Sequence, residues 1–181
     1  LHTDTRITIV DKNQDGLRDI MVASSFPWFV IFYQEPDGSF TPRYWPVDVD
    51  LAQPFTSDHY LADFNNDSRD DVLSFYFNEG FRLHEGLQDT LFSEAYHAVP
   101  TAPRLGRVYT ADLNGDGNMD IIMENFTEEY EPTNTFLYML GNGDFSFREP
   151  VPFDVGGPIQ RLFLTDLNTD SYPDVVAALA D

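Results

Sequence analysis

The sequence predicts an all-β protein built from repeated four-stranded units, and three observations predict it. A nine-residue oxygen-rich turn, "DLNGDGNMD" in one copy, occurs four times at a period of roughly 50 residues. Strand-like runs of about five or six residues, rich in Val, Ile and aromatics, flank every copy. No apolar pattern persists at helical spacing for the roughly ten residues that a helix needs.

The first unit opens on "RITIV", turns through "DKNQDGLRD" from Asp11, and continues as "DIMVAS". Its "FVIFYQ" then meets Glu35-Pro36-Asp37-Gly38 before "FTPRYWPVD"; Pro at the second turn position with Asp and Gly after it is good hairpin chemistry. The second unit runs "HYLA", "DFNNDSRDD" from Asp63 and "DVLSFY", after which "FRLHEG" and "LFSEAYHAV" flank a looser turn near Leu87–Thr90. The third runs "RVYTA", the turn from Asp112 and "DIIMEN", then "FLYML", Gly141-Asn142-Gly143-Asp144 and "FSFREPVPF". The fourth has "RLFLT", "DLNTDSYPD" from Asp166 and "DVVAAL", with no second hairpin before Asp181.

The turns are spaced by 52, 49 and 54 residues. Short antiparallel strands repeated at this period predict β-propeller blades, approximately 4–50, 51–103, 104–158 and an incomplete 159–181, within one domain over 1–181. About three and a half blades do not close a ring, and an open arc exposes apolar faces and edge strands. The expectation is therefore part of a larger propeller, with the remaining blades supplied by the same or another chain.

Composition narrows the function. The 181 residues carry 31 acidic and 10 basic side chains, a formal net charge of −21, which argues against nucleic acid or an anionic membrane as partner. Hydrophobic residues make up 42% of the chain and there are 16 Phe and 9 Tyr, enough to build a core despite the charge. Cysteine is absent, which excludes disulfides and thiolate metal sites. No signal-peptide pattern is visible from Leu1, and "FPWFVIFY" is far too short to insert across a bilayer.

Carboxylates about 5 Å apart repel by roughly 3 kcal/mol per pair at an effective dielectric near 20. Such a turn is a solvated Asx-rich bend or a socket for a cation, and four copies favour the socket. Oxygen donors at positions 1, 3, 5 and 9, with the backbone carbonyl at 7, suit calcium better than magnesium or zinc. The loop is not an EF-hand. Position 12 is Val22, Ser74, Met123 and Ala177 rather than a bidentate Glu, and a strand follows where a helix is required.

These four D-x-N-x-D-[GS]-x-x-D loops resemble those of the FG-GAP/VCBS repeat family, found in integrin α-subunit propellers and in many secreted bacterial and fungal proteins. The Phe-Gly…Gly-Ala-Pro signature is not evident, and "VGGP" at Val155–Pro158 only echoes it, which places the resemblance nearer the VCBS-like branch. The resemblance implies up to four Ca²⁺ on one face of a propeller, each pinning a strand connection. Carried over by position, the ligands would be Asp11, Asn13, Asp15 and Asp19 with the Leu17 carbonyl, and Asp63, Asn65, Asp67 and Asp71 with that of Arg69. The third set would be Asp112, Asn114, Asp116 and Asp120 with Asn118, and the fourth Asp166, Asn168, Asp170 and Asp174 with Tyr172. Position 6 is Gly16 and Gly117 but Ser68 and Ser171; if it needs positive φ, the serine loops should bind calcium more weakly.

Catalytic motifs are thin. His2, His59, His84 and His97 are scattered, and Ser24 and Ser25 lack a G-x-S-x-G setting, so no enzyme activity is expected. Trp28, Tyr33, Tyr44 and Trp45 offer surfaces for sugars, although filling the wedge between blades is the usual task of such aromatics. Asn125-Phe126-Thr127 is a glycosylation sequon placed just after a strand, and Asn66-Asp67-Ser68 another inside a loop. The expected function is extracellular or cell-surface recognition or adhesion, binding a protein or carbohydrate. The alternatives are a non-catalytic part of a secreted carbohydrate-active enzyme or toxin complex, and an architectural subunit of a surface assembly.

Overall fold

In the first unit, β1 (Arg6–Val10) and β2 (Asp19–Ala23) pair antiparallel across the first loop, with Val10 opposite Asp19. β3 (Trp28–Gln34) and β4 (Phe40–Pro46) close the predicted hairpin. Gly38 takes φ +85° there, and its N–H donates to the Glu35 carbonyl at 2.8 Å, so the turn uses the one residue without a Cβ to resist that conformation. This is a computed structural model, and it describes residues 6–23, 28–46, 56–76, 80–87, 91–93, 95–99, 105–127 and 131–180.

The second sheet holds β5 (Thr56–Ala62), β6 (Asp71–Tyr76), β7 (Gly80–His84) and β8 (His97–Val99). The third holds β9 (Leu105–Ala111), β10 (Asp120–Phe126), β11 (Pro132–Met139) and β12 (Val151–Asp154). Both repeat the meander order of the first. β13 (Ile159–Thr165) and β14 (Asp174–Leu179) pair as a two-stranded sheet. The described residues contain no helix, and hence none long and apolar enough to cross a membrane. The chain is all-β, with blade-like four-stranded sheets at the predicted period.

The outer hairpins of the second and third sheets differ from the sequence reading in where their last strands begin. Single bridges, Gly86 to Phe92 and Gly141 to Phe147, start each hairpin, and the ordered ladder resumes only at β8 and β12. In the third sheet, Pro150 removes a donor just before β12, which delays the start of the strand.

The described residues group into two compact units, Leu1–Leu61 with Ser68–Ala98, and Ala62–Asp67 with Val99–Asp181. The first is centred on Met21, Ile31, Trp45, Val72, Leu91 and Phe92, with Tyr33 and Leu61 packed against them. Trp45 is thus a core residue rather than a sugar platform, and Tyr33 is half-buried. Tyr44, on the opposite face of β4, stays 63% exposed, and the Trp28 side chain lies outside the described residues.

The second unit is centred on Ile122, Phe136, Ile159 and Leu162. In the middle of its sheet, β10 buries Asp120, Ile121, Ile122, Met123 and Glu124 in succession. Glu124 has satisfied partners: it accepts the Tyr109 hydroxyl at 3.1 Å and the Leu162 N–H at 3.4 Å, with the Arg107 guanidinium at 3.7 Å. The carboxylate therefore ties β10 to β13. Apolar side chains remain exposed on β1, β13 and β14, notably Ile7, Ile9, Phe163 and Leu179.

Candidate metal centre

Each loop is an Asx turn repeated within itself. In the third loop, Asp112 Oδ1 accepts the N–H groups of Gly115 (2.8 Å) and Asp116 (3.2 Å), and its Oδ2 accepts that of Gly117 (2.9 Å). Asn114 Oδ1 accepts the Asp116 N–H at 2.9 Å, while its Nδ2 donates to Asp116 Oδ2 at 3.0 Å. Asp116 Oδ1 accepts the Asn118 N–H at 2.8 Å. Short acidic side chains bond readily to the backbone two to five residues ahead, and each such bond curls the chain further.

The first loop repeats this pattern through Asp11, Asn13 and Asp15, with the Leu17 N–H held by Asp15 at 2.7 Å. The fourth repeats it through Asp166, Asn168 and Asp170, with the Tyr172 N–H held at 2.8 Å. In the second unit, Asp63, Asn65 and Asp67 make the corresponding bonds. The bend forces two left-handed residues per loop. Position 6 has positive φ in all four, Ser68 (68°) and Ser171 (74°) included. Position 4 does too: Gln14 (58°), Asn66 (60°), Gly115 (73°) and Thr169 (65°). The second requirement leaves no mark in the sequence, because those four residues share no type.

The ninth-position aspartates play a part that the motif alone did not reveal. Asp19 and Asp120 are fully buried, and each carboxylate spans two backbone amides. Asp19 accepts from Lys12 and Gln34, both at 2.9 Å; Asp120 accepts from Leu113 at 2.9 Å and Gly141 at 2.8 Å. In the first compact unit, which holds the end of the second loop, buried Asp71 accepts from Gly86 at 2.8 Å. Half-buried Asp174 accepts from Leu167 at 2.9 Å. These residues join each loop to its neighbouring strands.

Electrostatics divides the third loop. The Asn118 N–H, and then the Asn114 amide, hold the Asp116 carboxyl below the usual aspartate range. Burial pushes Asp120 upward, against the lowering effect of its two amide donors. The donor chemistry fits a hard divalent cation, since every side chain at positions 1, 3, 5 and 9 offers oxygen. A carboxylate oxygen that accepts one N–H keeps a second lone pair. As the loops stand, the carboxylates rest on backbone amides, and among the described residues no three His, Cys, Asp or Glu side chains converge on a single point.

Five other sequence candidates find their places. His59 and His84, distant in sequence, are both buried in the first unit and near enough to influence each other. His59 Nδ1 lies 2.8 Å from the Ser74 hydroxyl, and His84 Nδ1 lies 2.9 Å from the Ser93 carbonyl. His97 is exposed on β8, and His2 lies outside the described residues, as do Ser24 and Ser25. Asn125 does not follow a strand as expected; it lies half-buried within β10, its amide 3.5 Å from Thr135 Oγ1. Asn66 commits its amide to another loop.

A family model described as an FG-GAP-like repeat matches residues 11–74 and again 63–123. No match is found among the curated proteins. Among solved structures, the chain is similar to a lectin from Agrocybe aegerita, studied for its specific recognition of non-reducing terminal N-acetylglucosamine. The two share 20% identity and a TM-score of 0.71, over 98% of this chain and 48% of the lectin chain. The present chain thus spans about half the length of that structure, and the likeness carries the fold.

Proposed function

This chain belongs to the FG-GAP-like repeat family, and from that premise we propose that it is a calcium-stabilised recognition module, secreted or displayed at a cell surface, whose ligand is a carbohydrate. The observation that carries the metal part is the fourfold recurrence of one hydrogen-bonded acidic turn, including a fourth copy beyond the two matched stretches. Asp11, Asn13, Asp15, Asp19 and the Leu17 carbonyl would hold one ion; the equivalent residues of the other loops would hold the rest. Calcium would supply charge neutralisation, and four ions would remove eight of the 21 net negative charges.

Carbohydrate is favoured over protein as ligand by the likeness to a lectin across nearly the whole chain. The exposed rings of Tyr44 and Tyr172 offer flat apolar faces with a polar edge, suited to stacking on a sugar. In this reading the chain binds and does not catalyse. The His59–Ser74 pair has the composition of a nucleophile and base, but both side chains are sealed from solvent.

The test is retention of the purified chain on N-acetylglucosamine-terminated glycans, with galactose-terminated glycans as comparison, in calcium and in chelator. We expect retention in calcium and its loss in chelator, with a rise in Tm when calcium is added. A ligand at about 100 times its Kd adds roughly 2.7 kcal/mol per site when the unfolded chain does not bind it. A Tm indifferent to chelator sinks the metal reading, and no retention on either glycan sinks the carbohydrate reading.

A further inference from the structure

We propose that Asn66, in the second loop, is a positioning residue for the cation site of the third. Asn66 occupies position 4 of its loop, and its Nδ2 donates to Asn118 Oδ1 at 2.7 Å across 52 residues of sequence. Asn118 is position 7 of the third loop, the residue whose backbone carbonyl is the expected ligand. Its own N–H is already held by Asp116 Oδ1 at 2.8 Å. With the amide fixed on one side and the side chain on the other, residue 118 has little freedom to turn its carbonyl. The direction of that oxygen is therefore set from outside the loop that uses it.

The packing supports the same conclusion. Gly143, in the outer hairpin of the third sheet, adjoins this amide pair. A Cβ there would stand 2.3 Å from Asn118 Oδ1 and 2.4 Å from Asn66 Nδ2, so the pair fills the space that a side chain would need. The relation also recurs between other loops. The ring of Tyr172, position 7 of the fourth loop, covers Gly115, position 4 of the third; a Cβ on Gly115 would meet Cε1 at 2.3 Å. In the first unit, Gln14 Nε2, at position 4 of its loop, donates to the Ser68 carbonyl at 2.7 Å. That carbonyl belongs to the peptide leading into position 7, Arg69. Three different chemistries meet at equivalent positions. What repeats is the contact between position 4 of one loop and positions 6–7 of the next, not the residue type.

This inference rests on the calcium reading above, and the experiment separates the two. Calcium is titrated into the intact chain while the amide resonances of Gly117 and Gly16 report on the third and first loops. Asn66→Gly removes the side chain without straining a position at φ 60°. We expect Asn66→Gly to weaken calcium binding at Gly117 about three- to tenfold, the range for a lost hydrogen bond, and to leave Gly16 unchanged. Asn118→Ala should weaken Gly117 similarly, and the double variant should be no worse than Asn118→Ala alone. A merely structural role would lower the calcium-free Tm while leaving the Gly117 affinity intact, and that result overturns the inference. Equal affinity in Asn66→Gly and wild type overturns it while sparing the calcium reading. A Gly117 resonance in the wild-type chain that ignores calcium overturns both.

Discussion

The carboxylate of Asp120 accepts the backbone N–H of Gly141 at 2.8 Å, joining the third acidic loop to the outer hairpin of its own sheet. Its other oxygen takes the Leu113 N–H, and no part of the residue reaches solvent. Asp120→Asn would turn one of these acceptors into a donor facing an N–H, at a cost of about 1–3 kcal/mol for the unsatisfied buried group. We expect its urea midpoint to fall even in excess chelator. A midpoint unchanged without metal would mean that the carboxylate serves an ion alone.

Gly141 and Gly86 stand at equivalent points of two sheets, and both are pressed against backbone. A Cβ on Gly141 would lie 2.2 Å from the Met119 carbonyl oxygen, and one on Gly86 would lie 2.2 Å from that of Asp70. Backbone cannot move aside as a side-chain tip does, so either substitution to Ala should cost about 1–3 kcal/mol or more. Gly38→Ala is the contrast, since its Cβ would meet nothing within 4 Å and only the φ of +85° is strained. Chemical unfolding of the three variants should rank Gly38→Ala as the mildest. The reverse ranking would refute the close approach.

Loop strain differs among the repeats. The third loop places glycine at both left-handed positions, whereas the fourth places Thr169 at φ 65° and Ser171 at φ 74°. A non-glycine residue there costs on the order of 1–2 kcal/mol, and β-branched threonine resists it most. Thr169→Gly and Ser171→Gly should each raise Tm, by roughly 2–4 °C per kcal/mol recovered in a chain of this size. Site-resolved calcium titration should fill the third loop before the second and fourth. Earlier filling of the two serine loops would contradict the strain argument.

Acid is expected to weaken the fold through His59. Burial, and then the neighbouring His84, push its pKa down from 6.5 to about 4. Between those values the unfolded chain binds more protons than the folded one, so lowering the pH favours unfolding. The loss begins near pH 6.5, grows as pH falls and is complete below about 4, reaching on the order of 3 kcal/mol. His59→Gln should flatten the dependence of the urea midpoint over that interval. Equal slopes in the two chains would show that other groups dominate.

The acidic loops and the strands beside them were legible in the sequence because their rules are local. An Asx turn closes over two to five residues, and a strand declares itself by composition over five or six, so "DLNGDGNMD" and "DIIMEN" carry their own geometry. The repeat then placed the hairpins, and the Glu35–Gly38 turn formed as its residues require. The fate of the aromatics was less legible. Tyr44 and Trp45 are adjacent and chemically alike, yet alternation across β4 exposes one and buries the other.

What the sequence by itself determined is an all-β chain of repeated sheets, with one acidic turn joining two strands in each of the four. Tertiary structure alone decided which groups those turns meet. Asp120 finds Gly141 across 21 residues, Asn66 finds Asn118 across 52, and His59 comes near His84 in the first core. The reason is physical. A contact made by backbone amides, by the room left at a glycine, or by packed rings places no fixed demand on residue type. Such a contact leaves no motif, and only the folded chain brings its two ends together.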